Sequence, residues 1–153
     1  MFSRKAFVLA AALVMAAFPL AGTASAATPL PCGSGFSCDE FDPGLASWDQ
    51  KDTDDRVNGS GCSTMELRSG KNNGMWYAWA RATVGSVCGK YDVWIDRSFD
   101  GGRSWKLMGY FEIDDYKGSD FGNMVYWPDN AVVRLGTKGH WEPFSASRLT
   151  RWH

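Results

Sequence analysis

Apolar side chains recur at every second position through the middle of the chain, and this periodicity restricts the fold to β-structure. The segments Thr64–Ser69, Tyr91–Phe99 and Ser104–Ile113 alternate in this way, as strands with one buried face do. Met75–Val84 carries large apolar groups on both faces of the predicted strand, which predicts that the strand is central in its sheet. Gly, Asn and Asp between these segments indicate tight turns. The sequence predicts an all-β fold, a single antiparallel sandwich or small barrel of about six or seven short strands.

The N-terminal third of the chain lacks this periodicity. Thr28–Gly61 is rich in Pro, Gly and Asp, which favour turns, so we expect an irregular segment tied by a disulfide. We interpret its polar part, Asp49–Gly61, as a solvated loop. The acidic runs Asp49–Asp55 and Asp114–Asp120 offer carboxylates of the kind that calcium prefers. The sequence leaves calcium binding open, although Asp49–Asp55 lacks the ligand order of an EF-hand.

The first residues have the features of an export signal. Arg4 and Lys5 precede the apolar run Ala6–Leu20, and the small-x-small sequence Ala24-Ser25-Ala26 follows it. A membrane anchor is the alternative, but the run is shorter than the roughly 20 residues that span a bilayer. We therefore predict a signal peptide over residues 1–26 and one secreted, extracellular domain over residues 27–153, with no membrane association after cleavage.

All four cysteines, Cys32, Cys38, Cys62 and Cys88, lie beyond the predicted cleavage site. An even number of cysteines in an exported chain indicates two disulfides. Three pairings are possible, and we favour 32 with 38 and 62 with 88, because a Gly/Ser-rich loop separates the first two. Metal binding is the alternative. It is disfavoured because no C-x-x-C pair is present and the two histidines lack neighbours at ligand spacing, so we predict no metal site and no cofactor.

The charge balance argues against polyanionic partners. The chain has 16 basic and 17 acidic residues, and loss of Arg4 and Lys5 would leave 14 basic residues and a net charge of −3. Binding to nucleic acid or to anionic membranes depends on clustered Lys and Arg, and the sequence has no such cluster. We therefore predict no nucleic-acid partner.

Ser98, Asp100, Gly102, Ser104 and Trp105 follow the spacing S-x-D-x-G-x-[ST]-W. This stretch resembles the Asp-box hairpin of sialidases and related β-proteins. The residue types suit a turn, because a carboxylate can accept backbone N–H bonds, glycine takes positive φ without steric cost, and an indole can cover the hairpin. In sialidases the motif repeats once per propeller blade, away from the catalytic face. Here it occurs once in a short chain, so the resemblance implies a structural turn and no sialidase activity.

A second resemblance covers roughly residues 32–97. The spacing of Cys32 and Cys38, followed by Asp42-Pro43, Glu66–Ser69 and Ala78–Arg81, resembles a family of small exported actinobacterial domains of unknown function. That pattern has a cysteine after the Leu-Arg-x-Ser strand, where this chain has residues 71–74. The resemblance implies an exported, disulfide-containing β-domain and no particular chemistry.

The polar residues give weak support for catalysis. Of the carboxylates that a glycosidase could use, Asp96 and Glu112 are predicted to lie near each other across a hairpin. Alternatively, Arg97 or Lys106 could neutralise these two carboxylates in surface ion pairs. The other candidates are Glu66, Asp114 and Asp120. A ribonuclease-like set could be drawn from Glu66, Arg81 and His140, but no surrounding motif supports it. No G-x-S-x-G sequence is present for a serine hydrolase, and we predict no catalytic residue.

Aromatic side chains on a rigid β-scaffold favour binding instead. Trp94 and Tyr110 have outward parity on the two strands of the hairpin, and Trp76 and Trp127 are further candidates. Core packing is the alternative for each of them. We predict a non-catalytic module that binds polysaccharide or cell-wall glycan. The competing hypotheses are a structural or inhibitory protein that contacts another protein and, less favoured, a small secreted hydrolase. The sequence leaves the oligomeric state undetermined.

Overall fold

Two antiparallel β-sheets pack face to face in the part of the chain that the computed structural model describes, residues 27–58, 62–114 and 118–153. The strands are β1 (Gln50–Asn58), β2 (Ser63–Asn72), β3 (Met75–Val84), β4 (Tyr91–Ser98), β5 (Lys106–Ile113), β6 (Ser119–Phe121), β7 (Val125–Tyr126), β8 (Val132–Gly139) and β9 (Arg148–Leu149). Short 3-10 turns cover Gly35–Cys38, Pro43–Leu45 and Phe144–Ala146.

The first sheet has the order β1-β2-β3-β6, with β7 also paired to β3, and the second has the order β5-β4-β8-β9. The sheets do not close into a barrel within the described residues, so the sandwich is confirmed and the barrel is not. Strands β1 to β5 and β8 have eight to ten residues. The other three have only two or three residues and complete the sheet edges.

Alternating side chains of both sheets form the core between them. Ala78, Ala80 and Ala82 supply the inner face of β3, and their small side chains let the second sheet approach closely. Larger side chains fill the remaining space, and each contributes roughly 1.5–3 kcal/mol when fully buried. These are Met65, Leu67, Val93, Ile95, Met108, Ile113, Val133 and Leu135.

The N-terminal segment covers the outer face of β3. Trp48 stacks on Trp79, with ring centroids 5.0 Å apart. Gly70 of the neighbouring strand makes room for this stack, because a Cβ there would lie 2.5 Å from the Trp48 ring. The hydroxyl of Tyr77 accepts a hydrogen bond of 3.0 Å from the backbone N–H of Gly35. The segment is therefore irregular, as predicted, but it is fixed to the sheet.

The prediction of a solvated loop over Asp49–Gly61 is wrong, because β1 occupies most of it. This strand lies at a sheet edge and pairs with β2 along its whole length, apart from a bulge between Thr53 and Asp55. Its side chains are exposed or half-buried on both faces. Backbone hydrogen bonds to β2, rather than a buried apolar face, therefore hold this strand in the sheet. Within the described residues, the aspartates of Asp49–Asp55 form no group that could hold a metal ion.

Both predicted disulfides, Cys32–Cys38 and Cys62–Cys88, are confirmed. Disulfides persist in oxidising compartments, so the pair of bridges indicates an extracellular or equivalent environment. The predicted signal peptide, residues 1–26, lies outside the described residues. No helix of the described part is long and apolar enough to cross a membrane.

A buried ion pair connects the two sheets to the N-terminal segment. Arg97 of β4 is 7% exposed, and its two terminal nitrogens each lie 2.8 Å from an oxygen of Asp39. The backbone of Tyr126 in β7 joins the pair: its N–H donates to Asp39 (2.7 Å) and its carbonyl accepts from Arg97 (2.9 Å). The Phe36 and Phe99 rings lie 5.0 and 5.4 Å from the guanidinium. The expectation that Arg97 would neutralise surface carboxylates is therefore wrong.

Asp39→Ala is expected to destabilise the fold by about 3–5 kcal/mol, because it leaves the buried Arg97 guanidinium without its counter-charge. Urea denaturation gives the free energy of unfolding. Arg151→Ala is the matched control, since Arg151 lies 3.8 Å from Asp55 and its side chain is 79% exposed; a pair of this kind contributes about 1 kcal/mol or less. Equal losses in the two variants would contradict a supporting role for the buried pair.

Candidate functional site

The four aromatic residues predicted to bind a ligand occupy three different surroundings. Trp94 faces away from the core but is only 2% exposed. Its indole lies over Gly136, where a Cβ would be 2.3 Å from the ring, and Phe144 packs on it at 5.4 Å between ring centroids. The prediction that Trp94 binds a ligand is therefore wrong, because the C-terminal segment folds over it. Tyr110 is 44% exposed on the outer face of the second sheet.

Trp76 and Trp127 come together in a pocket of about 430 Å³. The carbonyl of Trp76 accepts a hydrogen bond of 2.8 Å from the backbone N–H of Trp127. The Trp127 indole N–H donates to the carbonyl of Ala131 at 3.1 Å, which fixes its ring. We call this cavity the Trp76–Trp127 pocket. Its lining residues are Asp54, Ser69, Trp76, Trp127, Pro128, Asp129, Ala131, Val132 and His153.

Irregular backbone at one end of the sandwich forms the pocket. Asp54 is at the bulge that interrupts the pairing of β1 with β2. Trp127 lies at the start of the turn between β7 and β8. His153 is held beside β8 by two backbone hydrogen bonds with Val133, of 2.9 and 3.1 Å. Bulges commonly redirect side chains, and the bulge in β1 places Asp54 in the lining of this pocket.

The carboxylate of Asp54 is the unusual polar group of the pocket. Its Oδ2 atom is buried and has no hydrogen-bond partner among the described residues. The neighbouring Asp55, in contrast, accepts hydrogen bonds from His153 (3.0 Å) and from the Arg56 backbone (2.8 Å). Burial raises the pKa of Asp55, but these hydrogen bonds outweigh it and hold the pKa below its usual value. A buried polar atom without a partner is rare in proteins, and Asp54 Oδ2 is one of six such side-chain atoms among the described residues.

A second recess of about 310 Å³ adjoins the pocket and also includes Trp76 and Trp127 in its lining. Gly74, Met75, Tyr126 and Asn130 line this recess but not the Trp76–Trp127 pocket. Because the two tryptophans line both cavities, a ligand longer than one ring could contact both of them.

Polar side chains also cluster on the outer face of the second sheet. Strand pairing places Asp92 opposite Glu112 on one side and opposite Lys138 on the other. His140 Nδ1 lies 2.7 Å from Asp92 Oδ1 and 3.6 Å from Glu112 Oε1. These three side chains have the donor atoms of a metal site, which sequence spacing did not reveal because three strands bring them together.

Two lysines balance the charge of this cluster. Lys138 Nζ lies 2.6 Å from Asp92 Oδ2, and Lys90 pairs with Glu112. Burial raises the pKa of Asp92, but hydrogen bonds from Lys138, His140 and Tyr110 lower it below its usual value. Burial, followed by the hydrogen bond and charge of Asp92 and the charge of Glu112, raises the pKa of Tyr110 to about 12. The carboxylates are thus neutralised by the protein itself.

The carboxylates considered for catalysis do not assemble as predicted. Asp96 pairs with Leu107 rather than with a residue near Glu112, so these two carboxylates do not meet. Asp96 is buried, which raises its pKa, and it bonds to Arg134 at 2.9 Å. Asp120 accepts a hydrogen bond from the backbone of Phe121. Part of the segment Asp114–Asp120 lies outside the described residues.

The residues of the ribonuclease-like set are also separated. Glu66 contacts Arg81 at 3.7 Å, with Arg56 and Arg68 each at 3.1 Å. This group lies on the outer face of the first sheet, whereas His140 follows β8 of the second sheet. His140 therefore does not lie with Glu66 and Arg81, as the ribonuclease hypothesis requires.

Hydrogen bonds hold the turn between β4 and β5. Ser98 Oγ donates to Asp100 (2.7 Å) and accepts from the N–H of Gly102 (2.8 Å). Asp100 accepts from the N–H and the hydroxyl of Ser104, at 2.9 and 2.6 Å. Gly102 has a φ of +91°, and a Cβ there would lie 2.4 Å from the Trp152 indole. The Asp-box resemblance stays a prediction, but these residues form the structural turn that it implies.

Trp105 was expected to cover the hairpin, and this prediction is wrong. Its side chain is 53% exposed. The guanidinium of Arg134 lies 4.7 Å from the Trp105 ring centroid and 4.3 Å from that of Trp152. The indole therefore packs beside an arginine at the sheet surface.

Asp100→Asn is expected to lower the melting temperature at pH 7, because the hydrogen bonds from Ser104 and Ser98 favour the ionised carboxylate and lower its pKa. That stabilisation is fully present above the pKa of the unfolded chain, about 3.9, and is lost as the pH falls towards the lower folded-state pKa. The difference between wild type and variant should therefore shrink below pH ~4. Thermal denaturation over pH 2–7 measures it, with the exposed Asp129→Asn as control. Equal melting temperatures at pH 7 would refute a stabilising role of Asp100 in this turn.

Comparison with protein-family models, with curated proteins and with solved structures gives no match to this chain.

Proposed function

We propose that this protein is an exported, non-catalytic module that binds a polysaccharide or cell-wall glycan in the Trp76–Trp127 pocket. The observation that carries the proposal is the presence of two tryptophans, one on β3 and one at the start of the turn between β7 and β8, in one cavity of about 430 Å³. Export is supported by the two disulfides and by the signal-like sequence of residues 1–26.

The composition of the pocket suits a sugar ring. A ring presents apolar C–H faces and a rim of hydroxyls, and the flat indoles of Trp76 and Trp127 can pack on the faces. Ligand sites generally combine apolar walls with a few well-placed polar groups. Here Asp54 and Asp129 place carboxylates in the lining of the pocket, where hydroxyls of the rim can donate to them.

The charge of the pocket disfavours acidic glycans. Of the described residues that line it, two are aspartates and none is lysine or arginine. An acidic sugar would bring a carboxylate or sulfate next to Asp54 and Asp129, and like charges repel strongly where water is displaced.

The environment of the carboxylates supports binding rather than hydrolysis. A glycosidase needs a carboxylic acid with a raised pKa beside the scissile bond. Asp96, which has a raised pKa, is paired with Arg134 and does not line the pocket. We therefore favour recognition without bond cleavage.

Trp76→Ala and Trp127→Ala are each expected to weaken glycan binding at least about tenfold, because each removes an aromatic anchor. Retention on insoluble cellulose, chitin and peptidoglycan, with circular dichroism to check folding, measures this. Trp141→Ala is the matched control, since Trp141 is 90% exposed and lies outside the pocket. Failure of the wild type to bind any glycan, or equal binding by all three variants, would sink the proposal.

A further inference from the structure

We infer that the outer face of the first sheet is a second binding site, which takes an acidic polysaccharide. Strand register gathers arginines there that lie far apart in the sequence. The site is separate from the Trp76–Trp127 pocket, because side chains alternate along a strand and Trp76 shares the inner face of β3 with Ala78. The inference therefore does not rest on the proposed function.

Three arginines surround one glutamate on this outer face. Register places Arg56 of β1 opposite Glu66 of β2, and Glu66 opposite Arg81 of β3. A terminal nitrogen of Arg56 and one of Arg68 each lie 3.1 Å from an oxygen of Glu66, and one of Arg81 lies 3.7 Å from it. One carboxylate thus faces three guanidinium groups, and the cluster has an excess of positive charge.

The arginines of the cluster have donors to offer a ligand. A guanidinium has about five N–H donors, and each of these arginines contacts Glu66 through one terminal nitrogen. The side chains of Arg56 and Arg81 are 63% and 46% exposed. Because a guanidinium can bind a carboxylate through two parallel N–H bonds, these two arginines can bind carboxylates of a ligand and keep their contacts with Glu66.

The other charged side chains of these strands strengthen the positive character of the face. Lys51 of β1 lines a recess on the same face and adds a fourth cation. Asp52 and Asp55 of β1 pair with residues of β2 that point to the inner face. Glu66 is the only acidic residue of β2 and β3, both of which are described over their whole length.

An aromatic recess of about 160 Å³ adjoins the arginines. Register places Trp79 opposite Arg68 and Phe121 opposite Arg81, and side chains opposite each other on one face of a sheet are neighbours. A sugar ring has apolar C–H faces that pack on aromatic rings. The face therefore combines a contact for a ring with cations for its acidic groups. The recess is lined by Pro43, Gly44, Trp48, Lys51, Trp79 and Phe121.

The charge of the whole chain favours a polysaccharide over a nucleic acid. Duplex DNA carries one negative charge per about 1.7 Å of its axis. The chain has a net charge of −1, so the surface outside this face would repel so dense a polyanion. An acidic polysaccharide spaces its charges by whole sugar rings, which suits a small cationic patch with an aromatic recess beside it.

Isothermal titration calorimetry with carboxymethyl-dextran and with unmodified dextran of the same length tests the inference, since the two probes differ only in their carboxylates. We expect the wild type to bind carboxymethyl-dextran at least about tenfold more tightly, with an affinity that falls as salt is added. The double variant Arg56→Gln/Arg81→Gln should lose this preference. Glu66→Gln should bind more tightly than the wild type, because it removes the carboxylate that competes with the ligand. Circular dichroism checks the folding of each variant.

The double variant Arg103→Gln/Arg151→Gln is the matched control, because it removes the same charge from exposed positions outside this face. An equal loss of binding in the two double variants would overturn the site. It would also be overturned if the wild type showed no preference for carboxymethyl-dextran. A DNA duplex that binds as tightly, and is lost in Arg56→Gln/Arg81→Gln, would overturn the assignment to a polysaccharide. Trp76→Ala should keep the preference, so failure of the proposed function is distinguishable from failure of this site.

Discussion

The buried pair of Arg97 and Asp39 is the interaction on which the arrangement of this domain most depends. It joins β4 of one sheet to the N-terminal segment, and through the backbone of Tyr126 it fixes β7 of the other sheet. Trp127 follows Tyr126 directly and binds the backbone of Trp76. The ion pair therefore helps to position Trp127, which forms one wall of the Trp76–Trp127 pocket, although Asp39 and Arg97 are distant from Trp127 in the sequence.

Buried aspartates of the second sheet have basic partners, whereas the lining of the pocket includes no lysine or arginine among the described residues. Asp92 has Lys138, and Asp96 has Arg134. The Asp54 Oδ2 has no partner in the described part of the chain. The pocket is lined by Asp54 and Asp129, with no lysine or arginine among its described lining residues, so the glycan proposed for the pocket is expected to be neutral rather than acidic.

The sequence predicted what depends on local alternation and failed where distant segments meet. The alternation of apolar residues in Tyr91–Phe99 correctly predicted a strand with one buried face, which carries Val93 and Ile95. The same alternation placed Trp94 on the outer face of the strand, but it could not show that Phe144 covers the Trp94 ring. Strand β1 was not predicted, because an edge strand with polar side chains shows no alternation of apolar and polar residues. The contact of His140 with Asp92 and the bulge at Asp54 arise from strand register, which one sequence does not specify.

The most direct test of the account is to observe the tryptophan indole N–H signals by NMR while a soluble oligosaccharide is added. Single Trp→Phe variants would assign the signals. The account predicts that those of Trp76 and Trp127 shift with ligand concentration and that those of the covered Trp94 and the exposed Trp141 stay in place. Shifts at Trp141 or at Trp105, with Trp76 and Trp127 unchanged, would place the binding surface elsewhere and contradict it.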